Sequence, residues 1–259
     1  MNLGIAGKSA LVTAASRGLG RACALALARE GVKVTIMARR ADVLENTARD
    51  IAASTGNPVG VVAGDVTRDE DRRQALAACP APDILIANVG GAPPGNWQEW
   101  SRTDWLEAVD GTLVAPVELI RATLPGMRGR KFGRIVCITS ALVKAPNLTL
   151  ALGNAARSGL TNFVGALSRQ VAADNVTINC LLPGPFDTDR VQVTLAATAK
   201  AEGIGVEEAR ARRAAANPAK RFGDPAEFGD YCAFLCSAQA GYITGQNLVI
   251  DGGNYPGML

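Results

Sequence analysis

The sequence predicts a single α/β domain over residues 1–259, in which a doubly wound parallel sheet of about seven strands carries helices on both faces. Short, continuous apolar runs alternate with amphipathic stretches from end to end, and a glycine-containing turn joins the first run to the first stretch. At 259 residues with 48% hydrophobic side chains, the chain is also long enough to bury a substantial core. These observations together indicate strands and helices packed as layers.

Runs rich in β-branched and other apolar residues are expected to be the strands. They are Ala10–Thr13, Val32–Met37, Val59–Ala63, Ile84–Ala87, Ile135–Thr139, Val176–Leu182 and Asn247–Ile250. Continuous apolarity, in place of alternation, is typical of strands buried on both faces of a parallel sheet. The stretches between the runs have the spacing of amphipathic helices, and the alternation predicts a Rossmann-type arrangement. The expected helices are Arg17–Glu30, Asp42–Ser54, Asp69–Ala78, Thr103–Met127, Leu148–Ala173 and Pro225–Cys236.

Residues 189–222 depart from this alternation. They are rich in Ala, Arg and Glu, contain no strand pattern, and precede the final helix and strand. An insertion above the carboxyl ends of the strands is typical of segments that cover a substrate. We therefore predict a helical substrate lid, with a solvated surface excursion as the alternative interpretation.

The composition excludes several kinds of site and partner. The chain has no histidine, which excludes a Ser-His-Asp triad, a Cys-His pair and any His-containing zinc site, and we expect no metal. The net charge of +3 is dispersed, so no nucleic-acid partner is expected, and the absence of a long apolar segment predicts no membrane span. The six cysteines form no CxxC pair and the N-terminus lacks a signal-peptide pattern, which predicts a reduced, cytoplasmic protein.

The turn after the first run opens directly into a helix and reads Thr13-Ala14-Ala15-Ser16-Arg17-Gly18-Leu19-Gly20. Glycines here let backbone N–H groups and the helix N-terminus approach a pyrophosphate. Further motifs follow in order, mostly at the ends of later runs. They are Asp65-Val66, Asn88-Val89-Gly90-Gly91, Ser140, Pro183-Gly184, Ile243-Thr244-Gly245-Gln246 and Asp251-Gly252-Gly253. This series resembles the classical short-chain dehydrogenase/reductase family over essentially the whole chain, and in particular its 3-oxoacyl-acyl-carrier-protein reductases.

The resemblance implies a nicotinamide dinucleotide and the residues that hold it. Residues of the turn would lie along the phosphates, and the later motifs would hold the adenine, the ribose and the nicotinamide. In chain order these residues are Thr13, Ser16, Arg17, Gly18, Leu19, Asp65, Val66, Asn88, Gly90, Arg157, Pro183, Gly184 and Thr188. Ala14 departs from the family, which has the first glycine of its TGxxxGxG motif there, but we expect binding to survive.

The choice between NAD and NADP follows from charge at the end of the second apolar run. An acidic residue there would accept hydrogen bonds from a 2′-hydroxyl and repel a 2′-phosphate. This chain reads Met37-Ala38-Arg39-Arg40 at that point, with no carboxylate before Asp42. Arg39 and Arg17 are therefore predicted to flank a 2′-phosphate with charge-assisted hydrogen bonds, which favours NADP.

The catalytic positions differ from the family. The resembling enzymes use a serine, a tyrosine and a lysine, with an asparagine upstream. Ser140 stands in the serine position, but Gly153 replaces the tyrosine, Arg157 replaces the lysine and Asp110 replaces the asparagine. The chain thus resembles an atypical member of the family that lacks the YxxxK pair. Its three tyrosines are too far along the sequence to compensate by a register slip: Tyr231, Tyr242 and Tyr255.

The groups that remain define a non-standard proton path. Arg157 supplies a fixed charge for the ribose and a developing alkoxide, because its pKa is too high for acid–base work. The proton is expected from Lys144 in a partly desolvated pocket, or from water held by Ser140 and Asn154. The alternative interpretations make Lys144 a solvated loop residue and Asn154 a polar residue at a helix N-terminus.

We therefore predict an NADP-dependent oxidoreductase that transfers a hydride between nicotinamide and a small alcohol or ketone, with a 3-oxoacyl compound as one candidate. A non-redox enzyme of the same fold (a dehydratase, epimerase or cyclase) and a catalytically silent NADP-binding protein are the alternatives. The helices predicted at Thr103–Met127 and Leu148–Ala173 are rich in Ala, Leu and Val. In the resembling family they form subunit interfaces, which predicts a homotetramer.

Overall fold

A computed structural model describes residues 2–257 and contains one seven-stranded sheet. The strands are β1 (Ser9–Thr13), β2 (Lys33–Ala38), β3 (Gly60–Ala63), β4 (Ile84–Ala87), β5 (Gly133–Ile138), β6 (Val176–Pro183) and β7 (Asn247–Ile250). They lie in the order β3-β2-β1-β4-β5-β6-β7, and every neighbouring pair is parallel. The predicted doubly wound α/β sheet is confirmed.

Nine α-helices connect these strands within residues 2–257. They are α1 (Gly18–Arg29), α2 (Ala41–Thr55), α3 (Asp69–Ala78), α4 (Arg102–Val109), α5 (Ala115–Gly129), α6 (Ala151–Val171), α7 (Asp189–Glu202), α8 (Val206–Ala216) and α9 (Pro225–Leu235). The stretch expected as one helix, Thr103–Met127, contains a π-helical segment at Asp110–Val114 between α4 and α5. Such segments widen a helix locally and often lie beside functional sites.

Helices cover both faces of the sheet. One hydrophobic cluster joins α1, α2 and α9 to one face through residues such as Leu27, Ile51 and Phe228. A second cluster joins α5 and α6 to the other face through residues such as Leu119 and Val164. Because both faces are covered, the central strands β1, β4, β5 and β6 are almost entirely buried, which explains their continuous apolarity, whereas the edge strands β3 and β7 are partly exposed.

The segment predicted as a lid contains α7 and α8 and no strand among its residues 189–222. It has a small hydrophobic cluster of its own, formed by Val191, Leu195, Ala199, Ala209 and Phe222. Separate packing of this kind lets a segment move without disturbing the main core. Its role as a lid stays a prediction.

The order of the strands places the carboxyl ends of β1 and β4 side by side at the centre of the sheet. The chain winds outward in opposite directions from these two strands, so the helices diverge there and leave a crevice. All strands are parallel, and the motifs at their carboxyl ends therefore meet along this edge.

Within residues 2–257, no helix is both long and apolar enough to cross a membrane. All six cysteines are buried free thiols.

Candidate active site

The turn between β1 and α1, which is predicted to hold the cofactor phosphates and is named the phosphate turn, depends on glycine for its shape. Gly18 adopts φ +56°, in the left-handed region that glycine tolerates best. Gly20 has no room for a side chain, because a Cβ there would lie 2.5 Å from the carbonyl oxygen of Ala14. Ala14 itself adopts φ +47°, a left-handed conformation at the position where the resembling family has glycine. The turn keeps its shape at the cost of strain at Ala14.

Thr13 and Asn88 tie the end of β1 to the end of β4. The Thr13 hydroxyl donates to the Asn88 carbonyl oxygen at 2.6 Å and accepts from the Asn88 backbone N–H at 3.0 Å. The side-chain amide of Asn88 donates to the Ala14 carbonyl oxygen at 3.3 Å. These hydrogen bonds hold the phosphate turn against the carboxyl end of β4, which is the neighbour of β1 at the centre of the sheet. Both residues were predicted as cofactor contacts, and both shape the turn.

A cleft of about 520 Å³ runs along the carboxyl ends of β1, β2, β3 and β4. Its lining includes Ser16, Arg17, Arg39, Asp65, Val66 and Gly90, all predicted cofactor contacts. A second cleft of about 540 Å³ lies along the outer side of α1, against α2 and α9. We assign a dinucleotide to the first, because it follows the strand ends where open α/β sheets bind their ligands.

The two arginines predicted for the 2′-phosphate both line this cleft but differ in their partners. Arg17 forms an ion pair with Asp189, the first residue of α7, with 2.9 Å between Nη1 and Oδ2. The pair is exposed on both sides. Arg39 forms no ion pair with another of the described residues 2–257, whereas its neighbour Arg40 pairs with Asp42 at 3.0 Å. Of the two predicted arginines, Arg39 therefore carries the uncompensated charge.

The residues predicted for the nicotinamide lie at the end of β6. Gly184 follows Pro183 and packs so closely against Asp251 that a Cβ would lie 2.5 Å from the Cβ of Asp251. Thr188 faces the phosphate turn, since its methyl group lies 3.5 Å from the Cβ position of Gly18. The turn, β6 and the start of α7 therefore approach one another at this end.

Ser140 lies just after β5 and caps a short 3₁₀ turn at Ala141–Val143, with its hydroxyl oxygen accepting from the Leu142 backbone N–H at 3.2 Å. Lys144 ends the same turn and is partly buried. Its ammonium nitrogen lies 5.6 Å from the ring centroid of Tyr255, within the range of a cation–π interaction. The predicted serine and lysine thus lie on one short turn beside a tyrosine.

Gly153 and Arg157 lie on one face of the first turns of α6. A Cβ at Gly153 would lie 2.6 Å from Nη1 of Arg157, so the guanidinium occupies the space where a side chain at 153 would begin. Arg157 is largely buried, and its Nε has no hydrogen-bond partner in the described structure. Burial, together with the nearby charge of Arg190, lowers the pKa of Arg157 to about 10. It still carries its charge at neutral pH.

Asn154 is also left with an unused polar atom. Its side chain is buried at 5% exposure, and its amide nitrogen donates to the Asn147 carbonyl oxygen at 3.2 Å. Its Oδ1 is buried without a partner among the described residues. Buried polar atoms are almost always satisfied in native proteins, so Oδ1 of Asn154 and Nε of Arg157 indicate a polar ligand at this place. These atoms and the glycine turn fit a bound dinucleotide.

Asp110 begins the π-helical segment, where its side chain is exposed. The charged neighbour that acts on Arg157 is Arg190, and no carboxylate does so. The structure therefore does not bring Asp110 into ionic contact with Arg157, although the two replace the asparagine and lysine of the same family motif. Gly111 and Thr112 of the π-helical segment line the cleft.

Arg190 and Tyr255 were missed by sequence reasoning. Arg190, in the first turn of α7, donates to the carbonyl oxygens of Gly91 and Ala92 at 3.4 and 3.2 Å. It packs so closely on Gly91 that a Cβ there would lie 2.5 Å from its Nη1. Tyr255 follows the last strand and reaches Lys144 across the fold. The only signals were the lid prediction for Arg190 and the Asp251-Gly252-Gly253 motif beside Tyr255.

Comparisons with known proteins agree with this geometry. The family model described as enoyl-(acyl carrier protein) reductase matches residues 13–254. The chain is 32% identical over 252 residues to the NADPH-dependent reductase BacG of Bacillus subtilis, covering 95% of this chain and 97% of BacG. It is 34% identical over 257 residues to the 3-oxoacyl-[acyl-carrier-protein] reductase FabG of Vibrio cholerae, covering 98% of this chain and 99% of FabG.

A solved structure shows the same likeness in three dimensions. L-sorbose reductase from Gluconobacter frateurii, solved with NADPH and L-sorbose, superposes with a TM-score of 0.94 at 30% identity, covering 100% of both chains. The resemblance read from the motifs is confirmed across the sheet, the phosphate turn and the terminal strand. The chain belongs to the short-chain dehydrogenase/reductase family.

Proposed function

We propose that this protein is an NADP-dependent oxidoreductase that transfers a hydride between the cofactor and a small alcohol or ketone through a non-standard proton path. The observation that carries the proposal is the cleft at the carboxyl ends of β1 to β4, with the phosphate turn at its centre and the unpaired charge of Arg39 on its wall. BacG and FabG, both reductases by name, are similar over nearly their whole length.

Different residues of this chain would hold different parts of the cofactor. The N–H groups at the start of α1 would hold the pyrophosphate, and Arg39, assisted by Arg17, would hold the 2′-phosphate. Asp65 and Val66 would lie at the adenine, whereas Arg157 would hold ribose hydroxyls. When bound, the cofactor supplies or accepts the hydride. The reduced substrate carbonyl also needs one proton on its oxygen, and that proton comes from the protein or from water.

The proton path uses groups that the family does not employ in this way. Ser140 would donate a hydrogen bond from its hydroxyl to the substrate oxygen while its oxygen continues to accept from the Leu142 backbone N–H. Lys144, or water held by Ser140 and Asn154, would deliver the proton. Arg157 would contribute a fixed positive charge that stabilises a developing alkoxide, since a group with a pKa of about 10 stays protonated at neutral pH.

The assembly and the lid belong to the same proposal. Residues 189–222 would cover the substrate, because Arg190 reaches from α7 to the carbonyl oxygens of the loop after β4.

We infer a homotetramer from apolar side chains exposed near the long helices, namely Leu106, Val114 and Leu148. Light scattering tests this, and a mass near that of one 26.8 kDa chain would contradict it. A cytoplasmic location completes the proposal.

Spectrophotometry at the absorbance of NADPH tests the function directly. The purified protein is mixed with NADPH and a panel of ketones, aldehydes and 3-oxo esters, and the loss of absorbance is followed. Turnover with at least one carbonyl compound is expected. Tight NADPH binding by calorimetry without turnover across the panel would favour the alternatives, a non-redox enzyme or a nucleotide sensor.

A further inference from the structure

Two arginines from different helices, Arg157 of α6 and Arg190 of α7, lie close enough for their charges to interact. The charge of Arg190 acts on the guanidinium of Arg157. Arg157 lies over Gly153, and the adjacent Leu152 lines the same cleft as Gly91. Arg190 reaches the same place from the other side, where it packs on Gly91. Arg190 thus packs on a residue that lines the cleft, and Arg157 packs on Gly153, which directly follows the lining residue Leu152.

Neither arginine has an acidic partner among residues 2–257. The ion pairs of the described chain engage neither Arg157 nor Arg190. Arg190 donates only to neutral carbonyl oxygens, and the Nε of Arg157 has no partner at all. Arg190 is exposed, whereas Arg157 is largely buried. A largely buried guanidinium without an acidic partner is costly, and the positive charge of Arg190 adds to that cost. An anion bound beside both guanidinium groups would offset this cost.

We propose that Arg157 and Arg190 form the binding site for the carboxylate of the substrate, which would be an anionic oxo acid. The inference rests on the proposed reductase function and names its substrate class. A guanidinium offers its N–H donors in a planar fork that matches both oxygens of a carboxylate, and Arg157 has donors enough to contact the ribose as well. Arg190 also belongs to the proposed lid, so a bound carboxylate would draw α7 towards α6.

A matched pair of substrates tests the charge preference. Acetoacetate and methyl acetoacetate share a ketone and differ in the charge at the other end. The quantity compared is kcat/KM for acetoacetate divided by kcat/KM for methyl acetoacetate. Arg190→Gln is expected to lower this ratio by at least about tenfold, because a charge-assisted hydrogen bond to the acid is lost. A ratio is measured because any loosening of the lid affects both substrates alike. Arg190→Lys is expected to recover part of the ratio.

Arg212→Gln is the matched control, since Arg212 lies in the same segment but pairs with Glu202 and Glu208. It should leave the ratio at the parental value. Malonate, titrated by calorimetry into the protein with NADP⁺, gives a readout independent of turnover. Its Kd is expected to rise at least about tenfold in Arg190→Gln.

The outcomes separate the carboxylate site from the reductase function. Reduction of acid and ester with the same ratio in parent and Arg190→Gln would overturn the carboxylate site and leave the reductase intact. Malonate binding that depends on Arg190 would support the site even if neither compound is reduced. An increase in the NADPH Kd of Arg190→Gln with an unchanged ratio would assign Arg190 to the cofactor phosphates and overturn the proposal. No malonate binding to the parent protein would also overturn it.

Discussion

The guanidinium of Arg157 folds back over Gly153, one turn earlier in α6, so that a Cβ at Gly153 would lie 2.6 Å from Nη1. The two departures from the family motif are therefore a single arrangement. A side chain at 153 and the present position of Arg157 exclude one another. Glycine at position 153 leaves free the space that the long, charged side chain of Arg157 occupies.

Restoring only the tyrosine should fail. We expect Gly153→Tyr to lower the free energy of unfolding by about 1–3 kcal/mol, because Arg157 must leave its place in a packed region. It should not confer efficient family chemistry either, because Arg157 and Asp110 stand in place of the lysine and asparagine. Urea unfolding and NADPH oxidation measure the two effects.

Two glycines of α6 give a matched control for that explanation. Gly165 has open space around its Cβ position, so Gly165→Ala should raise the free energy of unfolding by about 0.5–1 kcal/mol through helix propensity alone. Gly153→Ala gains the same propensity but collides with Arg157, and should be less stable than Gly165→Ala. Equal stabilities for the two variants would show that Arg157 moves aside freely.

Removing the buried charge should stabilise the protein. The folded pKa of Arg157, about 10, lies well below the ordinary pKa of an arginine, so folding disfavours the charged form. The resulting penalty is fully present below about pH 10 and declines as the pH rises from there towards the higher pKa of arginine in the unfolded chain. Arg157→Met should raise the unfolding free energy at pH 7.5 by about 1–3 kcal/mol while lowering turnover. A less stable variant would reveal a compensating anion near Arg157.

Substitutions at Ser140 and Lys144 test the proton path. Lys144→Met should lower kcat by about 10²-fold and change the NADPH Kd far less, if the lysine is the acid. Lys144→Arg keeps the charge but cannot exchange the proton, and should be nearly as slow. Ser140→Ala should slow turnover on either route. Parental turnover in both Ser140→Ala and Lys144→Met would contradict the site assignment and favour a non-redox or sensing role.

The preference for NADPH should depend on Arg39. Arg39→Ala is expected to weaken NADPH binding by about tenfold or more and to leave NADH binding nearly unchanged, because only NADPH carries the 2′-phosphate. Arg40 is the neighbouring control, since its guanidinium is already engaged by Asp42 at 3.0 Å. Calorimetric titration of both cofactors into the parent, Arg39→Ala and Arg40→Ala proteins decides this. Equal affinities of the parent for NADPH and NADH would refute the NADP assignment.

Ala14 should limit the stability of the phosphate turn. Its φ of +47° is strained for any residue with a Cβ, so Ala14→Gly should raise the free energy of unfolding by about 0.5 kcal/mol after the entropy of glycine is subtracted. Ala14→Val should lower it by about 1–2 kcal/mol, since a β-branched side chain tolerates this region least. Thermal unfolding of the three proteins gives the order, and a Val variant as stable as the parent would show that the turn relaxes.

Local patterns were sufficient to predict the sheet. β4 and β7 have the expected bounds, and the remaining strands differ by one or two residues at their ends, because continuous apolarity is typical of strands in a parallel sheet with both faces covered. The π-helical segment at Asp110–Val114 was not predictable, since its side chains keep a helical spacing.

Contacts between distant parts of the chain could not be predicted. Tyr255 was set aside because it lies far along the sequence, yet the fold brings it to Lys144. Arg190 was one of many charged residues in the predicted lid, and its meeting with Arg157 depends on how α7 packs. The sequence predicted which residue types replace the catalytic ones, whereas the position of Arg157 over Gly153 required coordinates.

The ion pair between Arg17 and Asp189 has a consequence for the order of events during turnover. A 2′-phosphate that engages Arg17 competes with Asp189, and the first turn of α7 then keeps its second attachment through Arg190. An exposed pair of this kind is worth about 1 kcal/mol or less, which shifts a two-state population by about fivefold at most. We therefore expect cofactor binding to shift residues 189–222 only partly towards an open state. The cofactor should then bind before the substrate in most turnovers, but this order should not be obligatory.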